Sequence, residues 1–250
     1  MLICHPYKFI FLKPLKAAGT SVECLLEPLC RDREDPIDEF TQEKICLNGI
    51  IGYRGPARGD AKYWHHMPAI QIRLMHPDLF RGYQKICITR DPYQKAISLF
   101  LWLGPLTYLQ AQEIAATSPN TLRNIFVLFL KYQHNISDLL TDSSRLLIHG
   151  ELVIDRVLRY EKLGSDLSDM IEELGLPLSI DRLKHLKPSG CDSKGHELSQ
   201  YFSSEALKAV NSYFDWYFPL FGYDRYEDIS DLITSSNNTT RSSPPLFHAE

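Results

Sequence analysis

No apolar run in this 250-residue chain comes near the ~20 residues that a membrane-spanning helix needs. Phe9-Ile10-Phe11-Leu12 is far too short for a targeting segment and is followed by lysines, so neither a leader nor a membrane anchor is expected. No C-x-x-C pair and no Cys/His ligand spacing occurs among the six Cys and nine His, which excludes the usual zinc frameworks. Charge of one sign is also missing. The 27 Lys and Arg stand against 31 Asp and Glu, net −4, a balance that favours neither nucleic acid nor an acidic membrane as partner. The phosphate-loop pattern G-x-x-x-x-G-K-[ST] is absent, and no internal repeat is visible. Cys4, Cys24 and Cys87 fall in core-like patterns, the usual place of reduced structural thiols, and a cytoplasmic protein is the simplest expectation.

What is present suffices for a core. With 44% hydrophobic residues, the sequence predicts one α/β domain over residues 1–229. Phe9–Leu12 and Lys85–Thr89 read as buried strands, while Val22, Leu25, Leu26 and Leu29 repeat at helical spacing, as do Tyr93, Ala96, Ile97 and Phe100. From Arg31 to His65 the chain reads as a long irregular stretch, its Gly-rich part Asn48–Gly59 suited to a lid or binding loop. A helical insert spans Leu122 to Leu140. Leu146–Ile148 and Val157–Tyr160 read as strands about a turn at Gly150, and a helix from Leu163 ends at Gly175 and Pro177. Strands alternating with helices predict a central parallel β-sheet flanked by helices. Residues 230–250, rich in Ser, Thr, Asn and Pro, are expected to be a disordered tail.

Two junctions carry chemistry. Lys16-Ala17-Ala18-Gly19-Thr20-Ser21 follows the first strand and opens a helix, so a cation, backbone N–H groups and two hydroxyls converge where an anion is favoured. Thr20 is expected to cap that helix, with Glu23 completing a capping box. The second strand runs into Arg90-Asp91-Pro92, where Asp91 suits the N-cap and Pro92 the first helical position. Arg90, by a charge-assisted fork, and Ser98, by its hydroxyl off the buried stripe, can bracket a second phosphate. Lys8, Lys13 and Lys95 add positive charge around these junctions. Two anion sites predict a ligand with two phosphate-like ends.

The first junction resembles the 5′-phosphosulfate motif of sulfotransferases, Pro-Lys-Thr-Ala-Gly-Thr-Ser, and Arg90–Ser98 resembles their 3′-phosphate motif, R-[DN]-P-x-x-R-x-x-S. Lys13, Lys16 and Glu23, then His66-Met67-Pro68-Ala69, Arg90, and Arg159-Tyr160-Glu161-Lys162-Leu163 occur in the order seen in carbohydrate-type, family 2-like sulfotransferases of the soluble bacterial branch. The likeness covers roughly residues 7–225. Ala17 stands where that family commonly has Thr, Leu15 where Pro is frequent, and Lys95 where Arg is frequent.

The resemblance implies a P-loop-NTPase-like sulfotransferase fold. It also implies PAPS (3′-phosphoadenosine 5′-phosphosulfate) as sulfuryl donor, leaving as PAP, with no metal. The sulfuryl group would pass by in-line displacement to an acceptor hydroxyl, in this branch on a carbohydrate. Lys16 then serves as the cation at the leaving group, and Lys13 is either a second contact or a solvent-facing lysine. Ala18, Gly19, Thr20 and Ser21 hold the 5′-phosphate, and Arg90 and Ser98 the 3′-phosphate. His66 is the expected general base, with His65 as direct competitor. Arg159-Tyr160-Glu161 would brace the nucleotide side, and Lys187-Pro188-Ser189-Gly190 would touch phosphate or adenine. Two other readings stay open. One is a nucleotide-dependent kinase, which would want a Lys-Ser/Thr pair and a Mg²⁺-holding acidic motif. The other is a catalytically silent nucleotide-binding protein, for which Ala17 and Leu15 speak. The acceptor's identity would be set by loops such as 31–65 and 103–121.

Overall fold

The computed structural model describes residues 1–32, 36–183 and 197–239, with side chains to residue 234. Short connections decide the early topology. Strand β1 (Leu2–Cys4) and β2 (Phe9–Phe11) are joined by His5–Lys8, a link that permits only an antiparallel hairpin, closed with Lys8 at φ 51°. Helix α1 (Gly19–Leu26) continues as a 3₁₀ turn, Glu27–Cys30. A second hairpin pairs β3 (Lys44–Cys46) with β4 (Gly49–Ile51) across Leu47-Asn48. Helices α2 (Ala69–Met75) and α3 (Pro77–Gly82) then lead to β5 (Gln84–Thr89). The helical insert comprises α4 (Pro92–Leu103), α5 (Tyr108–Thr117), α6 (Pro119–Tyr132), α7 (Ile136–Thr141) and α8 (Ser143–Leu146). A small ribbon of β6 (Leu147–Ile148) and β7 (Glu151–Leu152) turns at His149-Gly150, where Gly150 has φ 83°. Then come β8 (Arg156–Arg159), α9 (Leu163–Glu173), α10 (Leu198–Tyr201), α11 (Ser204–Tyr213), α12 (Tyr217–Phe221) and α13 (Ile229–Thr239).

The chain divides into two compact units, one holding residues 1–89 and 143–183, the other residues 90–142 and 197–239. The first is mixed α/β. Its six-stranded sheet runs β3-β4-β1-β2-β5-β8, with β2, β5 and β8 parallel and the remaining pairs antiparallel. The sheet is therefore mixed, not parallel throughout, because its two hairpin connections are too short for crossovers. Phe9, Phe11, Ile86, Ile88 and Leu158 pack on one face against Val22, Leu25 and Leu26 of α1 and Leu163, Leu167 and Met170 of α9. Ile3, Ile10 and Cys87, alternating with them along the strands, are also fully buried, so both faces of the parallel strands are covered.

The second unit is helical. Tyr93, Ala96, Ile97, Leu99 and Phe100 of α4 are fully buried, more than one stripe, which makes α4 a central helix. Phe100 meets Phe126 and Phe129 edge-on at 5.3 Å each. Tyr93 donates to Asn211 Oδ1 at 2.8 Å and accepts from the Tyr226 N–H at 3.0 Å.

The stretch from Arg31 to His65 is not irregular: it contains β3 and β4, and Tyr53 bridges to Trp64 in a parallel pairing. In the segment expected to be a tail from residue 230, Ile229–Thr239 is helical with Leu232 buried, and residues 240–250 lie outside the described residues. Lys187-Pro188-Ser189-Gly190 lies outside them too. Among the described residues, no helix is long and apolar enough to cross a membrane.

Candidate functional site

In the first unit, β2 ends in a turn whose backbone is unusual. Lys16 and Ala18 both lie in the left-handed region, at φ 55° and 57°, with Ala17 between them outside it. Alternating hands of this kind turn successive N–H groups toward one concavity, an anion-binding nest. For residues with a Cβ the conformation is strained, and such strain gathers at ligand sites. Ala18 is the N-cap of α1 and makes no side-chain cap. Gly19 is required by close approach. A Cβ there would lie 2.7 Å from Lys13 Cγ and 3.3 Å from the Pro14 carbonyl oxygen. Lys16 and Thr20 are half-buried, and Ser21 is buried.

The capping box expected of Thr20 and Glu23 does not form. Glu23 is fully buried and accepts from the Met1 ammonium at 2.6 Å, from Lys13 Nζ at 2.7 Å and from Arg54 Nη1 at 3.2 Å. Burial alone would raise its carboxyl. The surrounding cations outweigh that and hold it well below the usual carboxylate range. Three cations on one carboxylate are a stronger claim on it than the N–H of a helix start. Lys13 is therefore not a solvent-facing lysine: it is 4% exposed. Arg54, placed by its neighbourhood in a supposed lid loop, is 1% exposed. It donates to Glu27 Oε2 and to the carbonyls of Asp38 and Glu39, each at 2.7 Å. Lys8 does not join this junction, since it sits exposed at the opposite, N-terminal end of β2.

His66 lies against the same turn. Its Nδ1 is 2.9 Å from the Lys13 carbonyl oxygen, which can only accept, so the neutral ring carries its proton on Nδ1 and keeps the Nε2 lone pair. Burial, reinforced by the Lys13 ammonium, pushes its pKa well below the usual histidine value. His65 packs edge-on at 4.2 Å between ring centroids. Burial and Lys13 lower its pKa to about 3, and its Nδ1 is buried without a hydrogen-bond partner among the described residues. His65 thus lacks a ring hydrogen bond among the described residues, while His66 has the polar anchor that orients a base. Further along, Arg58 stacks on Trp64 at 3.6 Å. At the end of β8 the Arg159 N–H donates to Asp166 Oδ2 at 2.7 Å.

The second unit opens on the other junction. Asp91 accepts from the Gln94 N–H at 2.9 Å, and Pro92 takes the first helical position, as the sequence predicts. Arg90 is 6% exposed, and its N–H donates to the Tyr217 hydroxyl at 3.3 Å. Ser98 is 1% exposed, and its Oγ has no hydrogen-bond partner among the described residues. Lys95 does not contribute a cation to an open junction. It is buried in an ion pair with Asp142, and its Nζ lies 5.7 Å from the Tyr217 ring centroid.

The buried charges whose role the sequence did not reveal are Glu23, Glu27 and Arg54 in the first unit and, separately, Asp142 in the second. A carboxylate on an amphipathic helix looks like surface, and only the low exposure of its partners reveals otherwise. Comparison of the chain with family models, with curated proteins and with solved structures gives no match.

Proposed function

We propose that this protein is a PAPS-dependent sulfotransferase that sulfates an acceptor hydroxyl, with a carbohydrate as the acceptor class and the cytoplasm as its place. One observation carries the reading: His66 Nδ1 is tied to the Lys13 carbonyl, three residues before Lys16. A base and an anion-binding turn are thereby coupled through one strand end. The residues fit the donor. The nest at Lys16–Ala18 suits a 5′-phosphate, and the buried Ser98 hydroxyl, with no hydrogen-bond partner among the described residues, suits a phosphate oxygen.

PAPS, when bound, supplies an activated sulfuryl group whose bond to the 5′-phosphate oxygen breaks as the acceptor oxygen attacks. In this reading His66 Nε2 takes the acceptor's hydroxyl proton. The depressed pKa keeps the ring in its basic form at neutral pH. Lys16 faces the oxygen on which charge grows, and the N–H groups of Ala18 and Gly19 with the hydroxyls of Thr20 and Ser21 hold the 5′-phosphate. Lys13 aligns His66 through its carbonyl and adds positive field. Arg90 and Ser98 hold the 3′-phosphate, the arginine by a charge-assisted fork.

Thermal unfolding tests the donor. PAP raises the melting temperature, and ATP with magnesium raises it much less, because a ligand that binds only the native state stabilises it. Equal shifts would replace the bisphosphate reading with that of a general nucleotide binder. With labelled PAPS and a panel of hydroxylated acceptors, His66→Ala keeps the PAP shift and loses roughly two to four powers of ten in turnover. An active His66→Ala beside a dead His65→Ala would move the base by one residue.

A further inference from the structure

Three cysteines are neighbours around Gly49, at a place that the proposed sulfuryl transfer does not use. Cys4 ends β1 and Cys46 ends β3, and both take Gly49 of β4 as cross-strand partner, one from each side. Residues opposite one another in antiparallel strands project from the same face, so two thiols flank a residue that has no side chain. The third fills the gap. A Cβ built on Gly49 would lie 3.0 Å from Cys30 Cβ and 3.2 Å from its Cα. Cys4 Sγ lies 3.5 Å from the carbonyl oxygen of Leu29, the residue just before Cys30.

The segment that carries Cys30 is fastened to the β3–β4 turn. Asp32 accepts from the N–H groups of Leu47 and Asn48 at 2.8 and 2.9 Å, and the Asn48 side chain donates to the Arg31 carbonyl at 2.9 Å. All three cysteines are free. Cys4 and Cys30 are fully buried, whereas Cys46 is half-buried. Among the described residues, no three His, Cys, Asp or Glu side chains converge as metal ligands.

We propose that Cys4 and Cys30 form a dithiol–disulfide couple, oxidised by a low-molecular-weight disulfide that enters at Cys46. The Cys46 thiolate attacks one sulfur of the incoming disulfide, here oxidised glutathione, and expels one glutathione. Cys30, lying between its two neighbours, attacks the Cys46 sulfur and expels the second. Cys4 then attacks Cys30, forms the Cys4–Cys30 bond and returns Cys46 as a thiol. Two protein thiols lose two protons and two electrons, and one oxidised glutathione becomes two reduced molecules. The order follows from position: Cys46 is half-buried and accessible, Cys30 adjoins Gly49 between its two partners, and Cys4 is fully buried. The neighbouring Cys30 thiol lowers the pKa of Cys4, while Cys4 and burial raise that of Cys30. Cys4 is thus the better thiolate for the closing step.

The test is peptide mapping of the full chain after native incubation with oxidised glutathione, alkylation, and digestion without reduction. The expected product is a Cys4–Cys30 cross-linked peptide that dithiothreitol reverses. Cys46→Ser should slow its formation about tenfold or more without changing which residues are joined, as loss of the accessible attacking thiol requires. Cys30→Ser should leave glutathione on Cys46. Cys4 and Cys30 still alkylatable after unfolding, with glutathione elsewhere or absent, would overturn the couple. Unslowed bridging in Cys46→Ser would overturn the entry route. Should Cys30→Ser fail to fold, the wild-type map alone still decides between these outcomes.

Discussion

Glu23 is the carboxylate on which Lys13 and Arg54 both depend for a buried counter-charge. Removing one partner of a buried pair leaves charge that nothing compensates. Glu23→Ala is expected to cost about 3–5 kcal/mol in chemical denaturation. His66 should also lose orientation, because Lys13 bears its anchoring carbonyl. Ser98 predicts the opposite behaviour. Its hydroxyl is buried at 1% exposure and has no partner among the described residues, so Ser98→Ala removes an unsatisfied group and leaves the ligand-free chain as stable or up to ~1 kcal/mol more so. The same substitution should shrink the melting shift produced by PAP. A variant that is less stable and keeps the full PAP shift would show that the hydroxyl serves packing alone.

The turn between β2 and α1 makes neighbouring positions respond in contrasting ways. Gly19→Ala drives a Cβ to 2.7 Å from the stem of Lys13, which the Glu23 pair holds in place, and is expected to cost about 1–3 kcal/mol. At Ala18 the left-handed φ of 57° costs ~1–2 kcal/mol, and glycine would relieve it while adding ~0.5–1 kcal/mol of chain entropy, so Ala18→Gly should be near neutral or mildly stabilising. Urea midpoints of the two variants check both signs. The residues of this turn were legible in the sequence because an apolar strand and a 3.6-residue stripe bracket them, and β5 with α4 was legible for the same reason. β1, β3 and β4 were not: three residues are too few to show a period, although Asn48-Gly49 was an available turn signal. The role of Lys95 was equally hidden, since its partner Asp142 lies 47 residues away and no local pattern announces such a pair.

In the first unit the histidines and Glu23 respond to acid with the same sign. His65, lowered to about 3, and His66, lowered well below 6.5, are held neutral by burial, whereas the unfolded chain takes up their protons near pH 6.5. Below that pH the unfolded state binds more protons, so stability falls as pH falls. Glu23 acts lower down. Its depressed carboxyl pKa contributes stability that is present above about 4.5 and is lost as pH drops through the folded value. Burial also lowers the Met1 amino group from 8.0 to about 6, so a melting curve taken from pH 8 to pH 4 should descend gently from about pH 8, faster from about pH 6.5, and steepen below about 4.5. Each kcal/mol lost corresponds to about 2–4 °C for a chain of this size. His65→Leu keeps bulk and cannot take a proton, so it should make the upper descent shallower, leaving the His66 and Met1 share, and keep the lower one in place. Turnover should follow a different course. If His66 is the base, activity holds to well below pH 6.5 before its limb appears, because the same burial that sensitises the fold to acid keeps Nε2 unprotonated. A rate profile that halves near pH 6.5 while the chain is still fully folded at the assay temperature would assign catalysis to a histidine outside this buried pair.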